Sequence, residues 1–550
     1  MAHTAHVDTF VRDHLPPRAD WPNFVFSRPE LQYPERLNCV SAFLDRWVAE
    51  GKGDEPCLVT PQETLSYREL QERVDRICHV LVDRLGLVTG GRVLLRSANN
   101  AMLVATYLAV LKAGGVVVAT MPLLRAKEIA QLVRKAKIEL ALCDHRLLDE
   151  LERAASLAPE LKRIVACGSG REDDLDVLME QVSGPFPAID TAADDACLIA
   201  FTSGTTGEPK GTVHFHRDLL AICDSYAQNV LRAQPDDRFI GSPPLAFTFG
   251  LGGLVLFPMR IGASTVLLER AGSDDLLAAI ARYRASVCFT APTAYRAMLT
   301  KLGDHDVTCL RKCVSAGEAL PKATFEAFRE ATGLKLMDGI GATEMLHIFI
   351  AAREEEIRPG ATGKPVPGYE AKIIDENGRE LPPGVIGRLA VRGPTGCRYL
   401  QDERQRKYVE NGWNVTGDTY VKDEDGYFWY QARSDDMIVS AGYNIAGPEV
   451  EAALLTHSAV AECGIVGLPD AERGMIVKAY VVLRDGNSAG ADLVRALQEH
   501  VKAEIAPYKY PRIIDFVDSL PRTPTGKLQR FELRRIALDE AAAASVTAAE

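Results

Sequence analysis

The sequence predicts an α/β protein with a large N-terminal domain of two αβ-layered subdomains and a small β-barrel-like subdomain, followed by a hinged α+β C-terminal domain. Three observations predict this fold class. Short β-branched runs alternate with amphipathic helix patterns over most of the chain; short strands with Pro-Gly and Asn-Gly turns follow at about residues 363–430; and a new α+β pattern starts after Arg433. Alternating strands and helices imply mostly parallel sheets covered by helices.

The parallel part of the chain is predicted from its apolar runs. Strands are expected at residues 92–95, 116–119, 140–143, 164–167, 265–268 and 286–290. The most apolar segment, residues 101–120, is interrupted by Lys112 and by Gly114-Gly115. A membrane span needs about 20 predominantly apolar residues. This segment is therefore interpreted as a buried helix, a glycine turn and a strand.

The C-terminal domain is predicted to contain a helix at 448–456, strands at 461–466 and 478–483, a helix at 491–505 and a strand at 513–517. The short polar segment 432–436 is typical of a hinge. We therefore expect a large domain over residues 1–434, with its β subdomain at about 363–430, and a mobile domain over 435–540. The Ala-rich tail, residues 541–550, is expected to fray.

Composition bounds the function classes. The chain has 550 residues, a formal net charge of −12 and 47% hydrophobic residues, which is typical of a soluble globular protein. The negative charge argues against nucleic acid as a partner, because phosphate neutralisation carries most of that affinity. The N-terminal segment lacks the apolar stretch of a secretory signal, and the 12 cysteines contain no C-x-x-C pair. A cytoplasmic protein without a membrane partner is expected, with a homodimer as one option for its assembly.

The densest chemical signal is the segment T-S-G-T-T-G-E-P-K-G at residues 202–211, which follows an apolar strand. Its hydroxyls and glycines form a loop whose backbone N–H groups can converge on phosphate, and Lys210 adds positive charge. The loop is not a Walker A motif, because Pro209 stands where that motif has a glycine before the lysine. A plain surface turn is the alternative interpretation of the same residue types.

Several further motifs occur in order along the chain: S-A-G-E-A-L-P at 315–321, D-G-I-G-A-T-E at 338–344, T-G-D at 416–418 and P-R-T-P-T-G-K at 521–527. With the loop, they make the sequence resemble the adenylate-forming enzymes, which include acyl-CoA synthetases, peptide-synthetase adenylation domains and firefly luciferase. The resemblance covers about residues 40–535. It implies ATP, Mg²⁺ and coenzyme A as cofactor and cosubstrates.

The resemblance also implies roles for individual residues. Lys527, Thr343 and Glu344 would be catalytic, and Glu344 with Thr205 would hold Mg²⁺. Asp435 would be the hinge, and Gly442 and Tyr443 would contact coenzyme A. The residues expected to bind the nucleotide are Thr202, Ser203, Gly204, Thr205, Thr206, Lys210, Gly317, Glu318, Ala319, Asp338, Gly339, Ile340, Gly341, Asp418 and Arg433.

Two segments resemble the benzoate–CoA ligase subgroup, P-P-L-A-F-T-F-G-L-G at 243–252 and T-E-M-L-H-I-F at 343–349. By that resemblance the aryl carboxylate would contact Phe247, Thr248, Phe249, Gly250, His347 and Ile348. The Thr248 hydroxyl could accept a hydrogen bond from an ortho-amino group, and the sequence also resembles 2-aminobenzoate–CoA ligases. The hypothesis is therefore an aryl-CoA ligase that prefers 2-aminobenzoate over benzoate.

Two departures from the family pattern and several alternatives stand beside this hypothesis. Ile340 occupies a position where many members have an aromatic residue, and Gly447-Pro448 displaces a proline of the coenzyme A loop. The alternatives are activation of another small carboxylate, loading of a carrier-protein thiol, a luciferase-like enzyme without coenzyme A, and a non-catalytic acyl-adenylate sensor. Release of AMP that depends on added coenzyme A separates a coenzyme A ligase from the carrier-loading and luciferase-like enzymes.

Overall fold

The computed structural model describes residues 3–202, 208–433, 436–440, 443–470, 473–505, 507–522 and 528–547. Within these ranges the strands form four sheets. In chain order the strands are β1 (Pro56–Val59), β2 (Thr64–Ser66), β3 (Arg92–Arg96), β4 (Val116–Thr120), β5 (Leu140–Asp144), β6 (Arg163–Cys167), β7 (Ala196–Thr202), β8 (Lys210–Phe215), β9 (Arg238–Gly241), β10 (Ser264–Val266), β11 (Val287–Thr290), β12 (Lys312–Ala316), β13 (Leu336–Gly341), β14 (Ile348–Ala351), β15 (Lys364–Pro365), β16 (Glu370–Ile374), β17 (Gly387–Arg392), β18 (Val409–Glu410), β19 (Trp413–Lys422), β20 (Phe428–Arg433), β21 (Ile438–Ser440), β22 (Tyr443–Ile445), β23 (Val460–Asp470), β24 (Gly474–Leu483) and β25 (Ile513–Phe516).

Helices connect most of these strands. In chain order the α-helices are α1 (Phe10–Asp13), α2 (Arg46–Ala49), α3 (Tyr67–His79), α4 (Ala101–Lys112), α5 (Ala126–Ala136), α6 (Leu148–Leu157), α7 (Leu175–Glu180), α8 (His216–Ile222), α9 (Thr248–Leu251), α10 (Phe257–Ile261), α11 (Ser273–Tyr283), α12 (Pro292–Met298), α13 (Lys322–Thr332), α14 (Gln405–Tyr408), α15 (Gly447–Leu455), α16 (Ala491–Glu504) and α17 (Arg530–Thr547). In the part of the chain that the structure describes, no helix combines the length and the apolar character that crossing a bilayer requires.

Two αβ-layered sheets form most of the N-terminal domain, as predicted. One sheet has the order β6-β5-β3-β4-β7-β8, and the other has the order β15-β14-β13-β12-β11-β9-β10-β1-β2. Their inner strands pair in parallel, whereas β8, β2, β14 and β15 pair antiparallel with their neighbours at the edges. A continuous buried core contains residues from both sheets, which joins the two subdomains.

The apolar segment 101–120 forms the buried helix, glycine turn and strand that the sequence predicts. Helix α4 is followed by Gly114, whose φ of +72° suits a residue without a side chain, and then by β4. Lys112 remains charged in this buried place because its Nζ lies 2.8 Å from Asp45 Oδ1 and 2.6 Å from Asp75 Oδ1. A buried charge is tolerated when it is paired in this way.

The β subdomain is a five-stranded antiparallel sheet of the order β16-β17-β19-β18, with β20 paired to β19. The Asp-Glu-Asn-Gly segment forms the predicted turn after β16, since the Asp375 carboxylate accepts the backbone N–H groups of Asn377 and Arg379. Asx turns of this type are a common use of Asp at turns. Strands β19 and β20 lead directly to the start of the C-terminal domain.

The C-terminal domain has the predicted α+β order and a core of its own. Its sheet has the order β22-β21-β24-β23, with β25 paired in parallel to β24. Helix α17 continues to Thr547 and so includes most of the tail that the sequence predicts to fray. Alanine has the highest intrinsic helix propensity, so the run of alanines from residue 541 extends the helix. The predicted hinge residue Asp435 lies outside the described residues.

Candidate active site

A cavity of about 1540 Å³ lies between the N-terminal domain and the C-terminal domain. Its walls come from strand ends of both large sheets, from the β subdomain and from helix α15. Because the carboxyl ends of parallel strands share one edge of a sheet, motifs that follow β7, β12 and β13 converge there. The sequence-predicted residues that line this cavity are Thr202, Lys210, Phe247, Gly317, Glu318, Ala319, Asp338, Gly339, Ile340, Gly341, Thr343, Glu344, Asp418 and Arg433.

Other predicted site residues lie outside the described residues or away from this cavity. Ser203, Gly204, Thr205, Thr206, Gly442 and Lys527 are outside the described residues, and Tyr443 is described only through its backbone in β22. Arg522 and Leu528, the described residues on the two sides of the Lys527 segment, both line the cavity. Thr248, Phe249, Gly250, His347 and Ile348 are not among the lining residues of this cavity.

Lys210 stands at the base of the predicted phosphate loop. It pairs with Thr202 across the antiparallel strands β7 and β8, so the two ends of the predicted loop lie side by side. Lys210 Nζ lies 3.7 Å from Glu344 Oε1 and 5.1 Å from the centre of the Tyr399 ring. Strand β8 therefore places the positive charge of Lys210 next to the carboxylate of Glu344.

Glu344 is a buried carboxylate on the short 3₁₀ turn Thr343–Met345. The Tyr399 hydroxyl donates a hydrogen bond to Glu344 Oε1. Within the described residues no group of three His, Cys, Asp or Glu side chains could hold a metal ion. One carboxylate in the cavity nevertheless suits a hard cation that takes its other oxygen ligands from phosphate and water, as Mg²⁺ commonly does.

Asp418 and Arg433 form an ion pair across the β subdomain. They are register partners on β19 and β20, and Arg433 Nη1 donates to Asp418 Oδ1 at 3.1 Å. Burial raises the pKa of Asp418 above its usual value, while the Arg433 guanidinium limits the rise. The pair places a carboxylate acceptor and a cation side by side in the cavity wall, which suits a diol next to a phosphate.

Asp338 lies in the middle of β13 and is the register partner of Ser315 on β12. Burial raises the pKa of Asp338 to about 8, with the Ser315 hydroxyl and the Gly339 N–H acting in the opposite direction. Asp338 Oδ1 is buried and has no hydrogen-bond partner among the residues that the structure describes. A polar atom of this kind at the wall of a cavity is suited to a ligand's hydrogen-bonding edge.

The glycines at 339 and 341 make space for the next strand. A Cβ on Gly339 would lie 2.7 Å from Ile348 Cγ2, and one on Gly341 would lie 2.9 Å from the carbonyl carbon of His347. Both glycines also line the cavity. Their G-x-G spacing is thus explained by the close approach of β13 and β14, and half-buried Ile340 contributes the apolar surface between them.

His347 lies in a cluster of aromatic rings beside the cavity. Its ring centroid is 4.5 Å from that of Phe257, 5.6 Å from that of Phe249 and 5.6 Å from that of Tyr226. Burial lowers the pKa of His347 to about 3, so the ring is neutral at neutral pH. Neither ring nitrogen has a hydrogen-bond partner within the described part of the chain.

Thr248 begins helix α9 at the edge of this aromatic cluster and is buried. Gly250 permits tight packing of that helix, because a Cβ there would lie 2.2 Å from the carbonyl oxygen of Pro244. Phe247 alone of the residues predicted to contact the aryl ring reaches the nucleotide cavity. The predicted acyl residues therefore belong to a packed aromatic cluster next to the cavity, which they approach at Gly341 and Phe247.

Two residues of the site were missed by sequence reasoning. Tyr399 donates to Glu344, and the ring of His214 contacts the carbonyl oxygen of Thr343 at 2.8 Å. A β-bridge between Thr212 and Tyr399 brings these segments together across 187 residues of sequence. No local motif marks such a pairing, so no signal in the sequence alone could have identified it.

The comparisons with known proteins agree with this geometry. The family model described as "AMP-binding enzyme" matches residues 44–399, and that described as "AMP-binding enzyme C-terminal domain" matches residues 449–527. The chain belongs to the adenylate-forming enzymes. The predicted superfamily is thereby confirmed, and the matched ranges lie on the two sides of the cavity.

Relatives of this adenylate-forming enzyme include aryl-CoA ligases. It is 36% identical to the benzoate–CoA ligase of Thauera aromatica over 512 residues, 92% of this chain and 97% of that protein. It is 33% identical to the 4-hydroxybenzoate–CoA/benzoate–CoA ligase of Rhodopseudomonas palustris over 511 residues, 91% of this chain and 94% of that protein. These relatives confirm the predicted benzoate–CoA ligase subgroup.

Solved structures with the same fold also include aryl-CoA ligases. The anthranilate CoA ligase AuaEII in complex with anthranoyl-AMP matches with a TM-score of 0.89 and 35% identity, over 94% of this chain and all of that chain. A benzoate CoA ligase from Burkholderia xenovorans LB400 matches with a TM-score of 0.83 and 31% identity, over 90% of this chain and all of that chain. The predicted fold class is confirmed.

The adenylate-forming enzyme is accordingly an AMP-forming aryl-CoA ligase that uses ATP, Mg²⁺ and coenzyme A. This excludes the sensor and the luciferase-like enzyme that the sequence left open. The donor set fits the metal, since Glu344 supplies one hard oxygen and the bound nucleotide would supply others.

Proposed function

We propose that the ligase prefers 2-aminobenzoate and converts it to its coenzyme A thioester in two half-reactions. In the first, a carboxylate oxygen attacks the α-phosphorus of ATP, and the bond to pyrophosphate breaks. In the second, the thiol of coenzyme A attacks the acyl carbon of the adenylate, AMP leaves, and the thiol proton passes to solvent. Both halves need charge stabilisation in a site from which water is excluded.

Lys527 is the proposed source of that charge in the first half-reaction. The carboxylate and the α-phosphate are both anions, so an ammonium group between them lowers their repulsion. Coulomb energy at about 4 Å rises from about 1 kcal/mol in water to about 4 kcal/mol at an effective dielectric of about 20. The lining positions of Arg522 and Leu528 support this assignment, because they bring both ends of the Lys527 segment to the cavity.

The nucleotide is proposed to lie along the walls already described. The hydroxyls and amides of residues 202–206 and Lys210 would bind the phosphates, and Thr343 would contact the α-phosphate. Asp418 and Arg433 would bind the ribose, while residues 317–319 and 338–341 would enclose the adenine. Mg²⁺, held by Glu344 and Thr205, would neutralise part of the phosphate charge.

The second half-reaction is proposed to use a rotated C-terminal domain. The large domain would span residues 1–434 and the mobile domain 435–540, with Asp435 as the hinge. Rotation would remove Lys527 and bring Gly442 and Tyr443 to the pantetheine arm. Using one cavity in two poses lets each half-reaction exclude water separately.

The choice of 2-aminobenzoate rests on polar atoms of His347 and Thr248, in or beside the aromatic cluster, that have no hydrogen-bond partner elsewhere in the described chain. A neutral His347 offers one bare nitrogen and one N–H, and neither has hydrogen-bond geometry to a described residue, although the Phe249 backbone is close enough to oppose the lowering of its pKa. The Thr248 hydroxyl likewise makes no hydrogen bond to another of the described residues. An ortho-amino group would donate to one of these acceptors, whereas unsubstituted benzoate would leave them unpaired at a cost of about 1–3 kcal/mol.

The comparisons support the same choice without deciding it. The anthranilate CoA ligase is a 35% identical structural neighbour, and the Thauera benzoate–CoA ligase is a 36% identical relative. Identity alone does not separate the two substrates. The difference must come from individual side chains in or beside the aromatic cluster.

A panel of aryl acids tests the proposal. We expect AMP release that depends on coenzyme A to be at least ten times more efficient, as kcat/KM, with 2-aminobenzoate than with benzoate. 4-Aminobenzoate should resemble benzoate, because its amino group points away from the proposed acceptors. Efficient activation of benzoate with poor activation of 2-aminobenzoate would refute the substrate choice.

Variants at position 248 make this test specific. Thr248→Val removes the hydroxyl at nearly constant volume, and Thr248→Ser keeps it. We expect Thr248→Val to lower kcat/KM for 2-aminobenzoate about tenfold and to leave benzoate within about twofold. Equal losses with both acids, or no advantage of Ser over Val, would show that the hydroxyl does not read the amino group.

A further inference from the structure

A cluster of three buried ionisable side chains lies beneath the turn that carries Thr343 and Glu344. It consists of His214, Asp218 and Arg398, whose side chains are completely buried. The three residues lie on β8, on α8 and in the segment that precedes Tyr399. None of them lines the nucleotide cavity. The roles proposed above for substrate binding and catalysis do not involve them.

His214 connects this cluster to the turn. Its Nε2 lies 2.8 Å from the carbonyl oxygen of Thr343. A carbonyl oxygen only accepts, so this ring nitrogen must donate. The other nitrogen, Nδ1, lies 3.7 Å from Asp218 Oδ2 and has no hydrogen-bond partner within the described chain. The orientation of the ring is therefore set by the carbonyl on one side and by a carboxylate on the other.

Asp218 is held in place independently of His214. Its Oδ2 accepts the backbone N–H of Phe215 at 3.0 Å and a hydrogen bond from Arg398. The Arg398 guanidinium in turn donates to the carbonyl oxygen of Val213 at 3.2 Å and lies 3.9 Å from the centre of the Phe215 ring. The backbone groups of Val213 and Phe215, the two neighbours of His214, are thus held by hydrogen bonds, and they fix the direction in which the His214 side chain points.

The turn itself needs external support. Residue Leu346, directly after the 3₁₀ turn, has a φ of +67° and a ψ of −33°, a sparsely populated conformation that costs about 1–3 kcal/mol for a residue with a side chain. Such strain persists only where neighbours hold it. The Thr395 hydroxyl donates to the carbonyl oxygen of Met345 at 2.8 Å, and the Tyr399 hydroxyl donates to the Glu344 carboxylate. His214 supplies the contact at the first residue of the turn.

We propose that His214 is a positioning residue for the adenylate-forming half-reaction, acting through the carbonyl group of Thr343. It holds the turn so that the Thr343 hydroxyl and the Glu344 carboxylate face the nucleotide. The proposal rests on the function proposed above for those two residues. His214 touches no substrate and is therefore not a catalytic residue.

Two substitutions separate the hydrogen bond from the space that the ring fills. Gln carries an amide N–H at a distance from the backbone similar to that of Nε2, whereas Met fills the space without a donor. We expect His214→Met to lower kcat for pyrophosphate release by 10-fold to 100-fold, and His214→Gln to retain activity within about fivefold of the wild type. Thioester formation from supplied aryl-AMP and coenzyme A should change less than threefold in both variants.

Two results would overturn the proposal. One is retention of pyrophosphate release within twofold in His214→Met, and the other is an equal loss in the Gln and Met variants. An equal fall of both half-reactions together with a lower Tm would also contradict it, since it would indicate a purely structural role. Glu344→Gln, assayed in parallel, tests the underlying function. If that variant keeps full pyrophosphate release, the role of Glu344 fails, whatever His214 does.

Discussion

The residues proposed for ATP and those proposed for the aryl ring meet at the end of β13, yet different forces hold them. Around the nucleotide cavity, charged side chains form ion pairs: Arg433 with Asp418 on two strands in register, and Lys210 on β8 with Glu344 on its 3₁₀ turn. Around His347 the contacts are between rings, and the polar atoms are left unpaired. Charged side chains suit the nucleotide region to anionic ligands, whereas the packing of rings determines the shape of the aromatic region. We therefore expect the two regions to respond differently to substitution and to pH.

The largest expected effect concerns the charge that completes the nucleotide region. Lys527→Ala should lower adenylate formation by roughly 10²-fold to 10³-fold, the size seen when one charge-stabilising donor is removed from an active site. Conversion of supplied aryl-AMP to the thioester should persist within a few-fold, because that step does not need the ammonium group. The two half-reactions are measured separately by pyrophosphate release and by thioester absorbance.

A matched control for this variant is Lys162→Ala, which removes an exposed lysine that pairs with Glu139. It should leave both half-reactions unchanged. Equal loss of the two half-reactions in Lys527→Ala would contradict the proposal that Lys527 acts only in adenylate formation.

More of the nucleotide region than of the aryl region could be predicted from the sequence. The strands and the motifs at their ends were predictable, because alternation of apolar runs fixes a parallel sheet and its carboxyl edge gathers the loops. Tyr399 and His214 were not predictable, because their hydrogen bonds to the Thr343–Glu344 turn join residues 55 and 129 positions apart. The residues proposed to contact the aryl ring were predicted only from family resemblance. A buried histidine among aromatic rings has no local sequence pattern that tells a ligand-binding residue from a core residue.

A second expected effect depends on pH and belongs to the nucleotide region. The pKa of Asp338 is raised to about 8, above that of an unfolded Asp, so the folded state holds the proton more tightly. Its contribution to stability is full below the unfolded pKa and is lost as pH rises through 8. Between pH 7 and pH 9 this amounts to at most about 1.4 kcal/mol. In the ligand-free enzyme, Asp338→Asn should abolish this part of the alkaline loss, measured from urea unfolding at both pH values.

Asp54→Asn is the control for that measurement, because its carboxylate is mostly exposed beside Arg68. The same alkaline loss in Asp338→Asn and in the wild type would mean that Asp338 is charged in the folded enzyme at neutral pH. The interpretation of its unpaired oxygen would then have to change.

The smallest expected effect has the opposite sign and belongs to the aromatic region. The pKa of His347 is lowered to about 3, so between pH 6.5 and pH 3 the unfolded chain takes up a proton that the folded chain refuses. Its contribution to stability is present above the unfolded pKa and declines as pH falls. From pH 8 to pH 6 the loss is about 0.8 kcal/mol. His347→Gln, which cannot titrate, should lose correspondingly less stability over this range than the wild type.

The partly exposed His500, whose ring contacts the Thr456 hydroxyl in the C-terminal domain, provides the comparison variant His500→Gln. If His347→Gln and the wild type have parallel stability profiles from pH 8 to pH 6, the ring does take up a proton inside the folded protein. A charged imidazolium would then face the aryl substrate, and it would attract an ortho-carboxylate or hydroxyl oxygen in preference to an amino group. The acid profile of one buried histidine thus tests the substrate choice by a route independent of turnover.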